Sequence, residues 1–332
     1  MCLIALAIGQ RPDCPLLLAA NRDEYWQRPT LPLAAWQLDN GLTVYGGRDL
    51  LAGGTWLGFS AAGRVALLTN VRDGQPEKAA RSRGELVTRW LAGPPCTDWQ
   101  ALLQQTDPSA YGGFNLVLGD CASGHWCWLS NRPRRMEREG AQANNPAAVP
   151  NFYHSSHAAE KTAAVHLTPN LPPGWRGAAL PPGVYGLSNA ALDSPWPKLL
   201  RLKSALTAAL HDPALPLPAA ASAHARWQTL LLEALLDRGP APDDQLPATG
   251  VPLELERLLS SPFVCMPQHG YGTRSSLIAR WLRPSAASSQ LELQEGTHAR
   301  PASEPATQSP WPPTHSGYNS LCISMWGMPT SS

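Results

Sequence analysis

A cysteine stands at position 2, directly after the initiator Met1. Its side chain is small enough for Met1 to be removed, and the processed terminus then carries a thiol and a free α-amine on one residue. The reference pKa of such an amine is about 7.7–8.0, so it acts as a base near neutral pH. A nucleophile activated by its own α-amine is a known catalytic arrangement that needs no His. The competing reading makes Cys2 a small apolar residue opening a buried strand, which is where free Cys is commonly found. Asn21-Arg22-Asp23-Glu24 are four consecutive polar residues that close the second apolar run of the chain. An Asp there could orient the α-ammonium, and an Arg could favour the thiolate. A solvated turn with a local ion pair would use the same residue types.

These groups must be brought together by strands. Leu3–Ile8 and Leu16–Ala20 are apolar runs of strand length, separated by the turn residues Gly9-Gln10-Arg11-Pro12-Asp13. They predict a hairpin buried on both faces. A turn centred near Arg11 and Pro12 sets Cys2 opposite Asn21, with Arg22 and Asp23 just past the strand end. Further strands are predicted at Arg64–Thr69, ending on Asn70; at Phe114–Gly119 with Trp126–Leu129; and at Val184–Ser188, ending on Asn189. Pro262–Met266, Ser275–Leu282 and Leu291–Gln294 complete the set. Ser82-Arg83-Gly84-Glu85 has the form of a capping box, followed by the apolar stripe Leu86, Val87, Trp90 and Leu91. Other helices are predicted near Trp99–Gln105, Lys198–His211, Ser222–Arg238 (with Ser222 as a cap) and Leu253–Leu259. Residues 132–182 yield no pattern. Residues 299–332 are rich in Pro, Ser and Thr and predict a disordered tail. Strands, then helices, then strands argue for an α+β class.

Composition narrows the function. The 332 residues suffice for a sizeable core, 43% are apolar, and 26 Lys and Arg nearly cancel 25 Asp and Glu. That balance gives no reason to expect a nucleic-acid partner or an anionic membrane surface. The thirteen Trp supply large apolar area, in the core or around a pocket. Seven Cys at irregular spacing, with no C-x-x-C pair, argue against a disulfide framework and for a reducing, cytoplasmic setting. The short run Leu3–Ile8 lacks a basic leader and a cleavage site, and no run is long enough for a membrane anchor.

Nine segments in order give a more specific reading. They are Met1-Cys2, Ala20-Asn21-Arg22-Asp23-Glu24, Gly53-Gly54-Thr55-Trp56-Leu57-Gly58, Leu68-Thr69-Asn70-Val71-Arg72, Ser82-Arg83-Gly84, Gly113-Phe114-Asn115-Leu116, Tyr185-Gly186-Leu187-Ser188-Asn189, Leu192-Asp193-Ser194-Pro195-Trp196-Pro197-Lys198 and Tyr271-Gly272-Thr273-Arg274-Ser275-Ser276. Together they resemble the ordered signature of the NRDE, or Transport and Golgi organisation 2, family over residues 1–298. The resemblance implies a four-layer αββα sandwich of the N-terminal-nucleophile (Ntn) hydrolase type. A looser resemblance to penicillin V acylases and bile salt hydrolases implies a site made of Cys2, Arg22, Asp23, Asn70, Asn189 and Arg274. In it Cys2 would attack an amide carbonyl and Asp23 would hold the α-amine. Asn70 or Asn189 would donate to the oxyanion, at about 3 kcal/mol per good donor. Arg22 and Arg274 would set the positive potential. Asn21, Glu24, Trp56 and Trp196 are the further pocket candidates.

Three functions follow as expectations. One is hydrolysis of a non-peptide amide with an apolar acyl group. The second is carriage of haem or an acyl-CoA-like lipid, which the family's trafficking associations imply. The third is a scaffold with neither activity. No cofactor is expected, and the sequence gives no oligomeric state. His154-Ser155-Ser156-His157 lacks the further ligands a zinc site needs, so no metal is expected. The glycine pairs at 46–47 and 53–54 lack a phosphate loop's ending and read as turns or close backbone approaches.

Overall fold

The computed structural model describes residues 2–72, 79–93, 99–132, 171–218, 225–285, 288–299 and 318–326. The two leading apolar runs form strands β1 (Cys2–Ile8) and β2 (Leu16–Tyr25), paired antiparallel. Successive side chains of a strand point to opposite faces, and every residue of β1 is buried because both faces are covered. Cys2, Ile4, Leu6 and Ile8 enter one apolar layer. Leu3, Ala5 and Ala7 enter another.

The chain next builds a seven-stranded antiparallel sheet from β3 (Thr30–Gln37), β4 (Thr43–Asp49), β5 (Leu57–Ser60), β6 (Arg64–Asn70), β7 (Phe114–Asp120), β8 (Trp126–Ser130) and β9 (Arg176–Ala179), side by side in chain order. It then returns to the sheet of β1 and β2 with β10 (Gly183–Leu187), β11 (Cys265–Met266), β12 (Tyr271–Ser285), β13 (Ser288–Thr297) and β14 (Tyr318–Trp326). That sheet runs β10-β1-β2-β12-β13-β14, with β11 beside β12. β1 and β2 are therefore central strands, with neighbours on both sides.

Two helices, α1 (Gly84–Leu91) and α2 (Trp99–Gln104), cover the outer face of the β3–β9 sheet. Leu86, Val87, Trp90 and Leu102 pack there with Ala66, Leu116 and Leu118. Two more, α3 (Pro197–Leu210) and α4 (Arg226–Leu236), cover the outer face of the other sheet. Leu202, Leu206 and Leu231 meet Leu3, Ala5, Leu17 and Ala19. A short helix, α5 (Leu253–Leu258), follows. Between the sheets lie Ile4, Leu18, Phe59, Leu67, Val117 and Trp281. Burial of each such side chain contributes about 1.5–3 kcal/mol. The order is helix, sheet, sheet, helix, which is the expected αββα sandwich of the α+β class.

Several local expectations are corrected. β2 continues through Asn21-Arg22-Asp23-Glu24, because β12 pairs along it as far as Tyr25 opposite Tyr271. Arg22 and Asp23 thus lie inside the strand, and Cys2 faces Arg22 where Asn21 was expected. The capping box does not form: Arg83 occupies the N-cap with helical backbone and no side-chain cap. The Glu85 carboxylate is drawn instead to Arg81 Nε, 2.8 Å away, and to the Tyr111 hydroxyl. Strands β3, β4, β5 and β9 had no recognisable sequence pattern. β3 is largely exposed, so apolar periodicity had nothing to report. In the tail read as disordered, Tyr318–Trp326 is instead a strand on the edge of β13. An open sheet edge offers unpaired N–H and C=O groups that such a segment satisfies. Ser222, the H-x-x-H at 154–157, and residues 300–317 and 327–332 lie outside the described residues.

Candidate active site

Cys2 is the first residue of central strand β1, and its side chain faces the space between the sheets, 7% exposed. Its cross-strand partner is Arg22. The two side chains share a face and reach a cavity of about 730 Å³ whose wall includes both. Burial pushes the Cys2 thiol above its ordinary pKa. The Asp23 carboxylate adds to that rise, and Arg22 only opposes it. The lowering expected from Arg22 is therefore outweighed, and attack by this thiol requires a base. The Ser188 hydroxyl donates to the Cys2 carbonyl (3.2 Å) and steadies the strand end from the β10 side.

Asp23 follows Arg22 and is 1% exposed. Burial raises its pKa, and the Lys198 ammonium and the Thr273 hydroxyl pull the other way. Thr273 Oγ1 donates to Asp23 Oδ1 at 2.7 Å and accepts from Val264 N at 2.9 Å, so the carboxylate is fixed from β12.

Arg274 owes its position to a bulge. β12 and β2 pair Thr273 with Asp23 and Ser275 with Arg22, which leaves Arg274 as the extra residue. A bulge re-aims a side chain, and Arg274 is directed along the cavity wall. It donates to the carbonyls of Tyr25 (2.9 Å) and Arg28 (3.1 Å). Burial, and Arg22 nearby, lower its pKa.

The two candidate oxyanion donors differ. Asn70 ends β6 and lines the cavity, and its side-chain amide makes no hydrogen bond among the described residues. Asn189 is fully buried behind it and lies outside the cavity wall. Its Nδ2 donates to the Asn70 carbonyl at 2.8 Å, and its backbone carbonyl accepts from Arg72 N at 2.8 Å. Asn189 therefore positions Asn70.

Glu24 and Trp56 line the cavity as expected. Asn21 and Trp196 do not. Asn21 alternates to the helix side of β2, where Nδ2 donates to the carbonyls of Leu235 (2.7 Å) and Pro262 (3.0 Å). Trp196 packs in the apolar layer under α3, with the Arg72 guanidinium 5.2 Å from its ring. The strand alternation that takes Arg22 to the cavity takes Asn21 away from it.

Sequence reasoning missed two parts of the site. The first is a basic wall: Arg28, Arg48, Arg81 and Arg83 join Arg22 and Arg274 around the cavity, against the acids Asp23, Glu24, Asp49 and Glu295. Asp49 is itself held by Arg28 at 2.7 Å, so the remaining balance is cationic. Arg28 and Arg48 lie before and within strands that had no readable pattern, and Arg81 and Arg83 flank a helix start that was read only as a cap. The second part is Lys198, buried on the first turn of α3, with Nζ donating to the Leu259 carbonyl at 2.8 Å. A signal was available, since Lys198 occupies the apolar stripe of Leu202, Leu206 and Ala209. Beside it, Arg72 Nη1 pairs with Glu256 Oε2 at 2.9 Å.

Among the described residues, no group of three or more His, Cys, Asp or Glu could hold a metal ion, and no helix is long and apolar enough to cross a membrane. The profile of the family "Transport and Golgi organisation 2" matches residues 1–283. A human Transport and Golgi organization protein 2 homolog is 31% identical over 299 residues, covering 84% of this chain and 87% of its own length. The Bos taurus homolog is 30% identical with the same coverage. Among solved structures, a C2A mutant of a conjugated bile acid hydrolase from Clostridium perfringens aligns over 96% of this chain and 92% of its own, at 9% identity and TM-score 0.42. A Caenorhabditis elegans ortholog of N-acylethanolamine-hydrolyzing acid amidase aligns over 83% and 91%, at 8% identity and TM-score 0.33.

Proposed function

The chain belongs to the Transport and Golgi organisation 2 family, and from that premise and its site we propose that it is a Cys-type N-terminal-nucleophile amidohydrolase, active once Met1 has been removed. The observation that carries this reading is the placement of Cys2 at the end of a central strand, open to a cavity and beside Arg22 and Asp23. The raised thiol needs a base, and the α-amine created on the same residue supplies one.

In the proposed reaction the α-amine accepts the thiol proton as sulfur attacks the carbonyl carbon. The oxyanion accepts a hydrogen bond from the Asn70 side chain, held from behind by Asn189. Collapse of the intermediate breaks the C–N bond, and the α-ammonium returns its proton to the departing amine. Water, deprotonated by the same α-amine, then cleaves the thioester and regenerates the thiol. Asp23 orients the α-amine, and Arg22 and Arg274 keep the cavity electropositive. Trp56 offers apolar surface for an acyl group. A cytoplasmic location, with its reducing conditions, would keep Cys2 free. Intact-mass analysis of the protein from its native host should show Met1 missing, and a thiol-directed amide analogue should label Cys2. Retention of Met1 in active protein would refute the reading.

The basic wall favours a second reading. Arg48 Nε is buried with no hydrogen-bond partner among the described residues, and its neighbours leave a cationic excess. An anionic ligand with an apolar body, such as haem or an acyl-CoA-like lipid, would satisfy both and could be carried without turnover. Native mass spectrometry of freshly purified protein would then show the bound ligand, and a Cys2→Ser variant would keep it and its biological activity.

A further inference from the structure

The helix side of β2, behind the candidate nucleophile, holds a set of almost wholly buried charges. Asp23 on β2, Glu256 on α5, Lys198 on α3 and Arg72 just after β6 are all buried or nearly so. Arg72 is matched by Glu256 at 2.9 Å. That leaves Lys198 and Asp23 to balance each other: Lys198 is the leading cation acting on Asp23, and Asp23 the leading anion acting on Lys198. The hydrogen bond from the Lys198 ammonium to the Leu259 carbonyl fixes its position without neutralising it. Tyr271 on β12 also faces the cluster, and burial keeps its hydroxyl protonated. On the cavity side, Arg22 has Glu24 4.0 Å away.

Removal of Met1 would deliver an α-amine into this already balanced set. Were that amine protonated, it would add an uncompensated positive charge in a region of low dielectric, which is unfavourable. Resting on the hydrolase reading above, we propose that Lys198 is a positioning residue that shares the Asp23 carboxylate with the terminal α-amine, so that the amine is oriented by Asp23 yet held as the free base. Asp23 alone would hold an ammonium, which cannot take the thiol proton. Asp23 with Lys198 behind it holds an amine that can. A Lys in the apolar stripe of α3 has no packing advantage over the Leu residues that continue the stripe, so its charge is what the position uses. Burial lowers the Lys198 pKa to about 8 and Asp23 opposes the fall, so at pH 7 the position still carries mostly ammonium.

The test is made on a chain beginning at Cys2, released from an N-terminal fusion by cleavage before that residue, so that it does not depend on processing in the host. The α-amine is titrated by pH-dependent competitive acetylation, read on the N-terminal peptide by mass spectrometry. The wild type is expected to titrate below the ordinary range of about 7.7–8.0. Lys198→Met should raise the midpoint by about one pH unit, and Lys198→Arg, which keeps the charge, should stay near wild type. Turnover at pH 7 should fall up to about tenfold in Lys198→Met and recover as the pH is raised. A wild-type amine titrating within or above the ordinary range overturns the proposal, whether or not the Met variant folds. So does a folded Lys198→Met whose amine titrates with wild type. Failure of the hydrolase reading would look different: Met1 retained in the host protein, or Cys2 unlabelled, with the Lys198 dependence of the amine still measurable.

Discussion

Asn21 shares a four-residue polar segment with the candidate catalytic residues, yet the structure makes it a brace, and Asn21→Ala should separate the two roles. Its Nδ2 ties the carbonyls of Leu235, at the end of α4, and Pro262 to β2. Its Oδ1 accepts from Ser276 Oγ at 2.6 Å, across to β12. The side chain is fully buried. Alanine would leave two carbonyls without this donor, and each buried group so orphaned costs about 1–3 kcal/mol, while the Ser276 hydroxyl keeps His298 Nε2 at 2.9 Å. Partial relaxation keeps the sum near the lower end, so a loss of about 3 kcal/mol is expected. In a domain of this size each kcal/mol lowers the midpoint by about 2–4 °C, which gives a fall of roughly 6–12 °C. Urea unfolding monitored by Trp fluorescence should show a lower midpoint at unchanged slope. Labelling of Cys2 by a thiol-directed amide analogue, measured well below the melting temperature, should proceed at the wild-type rate per folded molecule. A variant that melts like wild type but no longer labels would refute this placement, because Asn21 would then have to act in the cavity.

Two further expectations concern other parts of the fold. Burial lowers the His298 pKa to about 4 from 6.5, so the unfolded chain binds this proton at a higher pH than the native one. Stability should fall as the pH drops from about 6.5 to 4, by up to about 1.4 kcal/mol per unit for this one group; His298→Gln should flatten that part of the urea-midpoint profile, and an unchanged slope would exclude His298 as its source. Gly54→Ala would set a Cβ about 2.6 Å from the Gly84 carbonyl group at the start of α1, an overlap that backbone must relieve. A destabilisation of about 1–3 kcal/mol is expected, and a neutral calorimetric result would mean that this loop yields freely.

Much of the layering could be read from the chain itself. The continuous apolar runs at Leu3–Ile8 and Leu16–Ala20 required cover on both faces, and the stripe of Leu86, Val87, Trp90 and Leu91 required an apolar partner beneath it. Cys2, Arg22, Asp23, Asn70 and Arg274 could be named because each sits at a run's end or in an ordered motif, and the tertiary structure brings these five to one cavity. The roles inside the motifs could not be separated in this way. Asn21 and Arg22 are neighbours of similar polarity, and only the alternation of β2, with helices on one side and the second sheet on the other, sends one to a brace and its neighbour to the cavity. Asn189 and Asn70 are both asparagines at strand ends, but pairing across the molecule puts the first behind the second. Arg274 could be placed only once β12 had a partner, since a bulge is a mismatch between two strands and neither contains it alone.

The sequence by itself determined which stretches must be buried and that a thiol stands next to the start of the chain, because periodicity and residue type are local properties. The tertiary structure alone decided what surrounds that thiol: the basic wall from segments around residues 28–83, the buried Lys198 behind Asp23, and the edge strand formed within the polar tail. Desolvation and charge balance depend on every element that packs around a group, and those elements are distant in the chain.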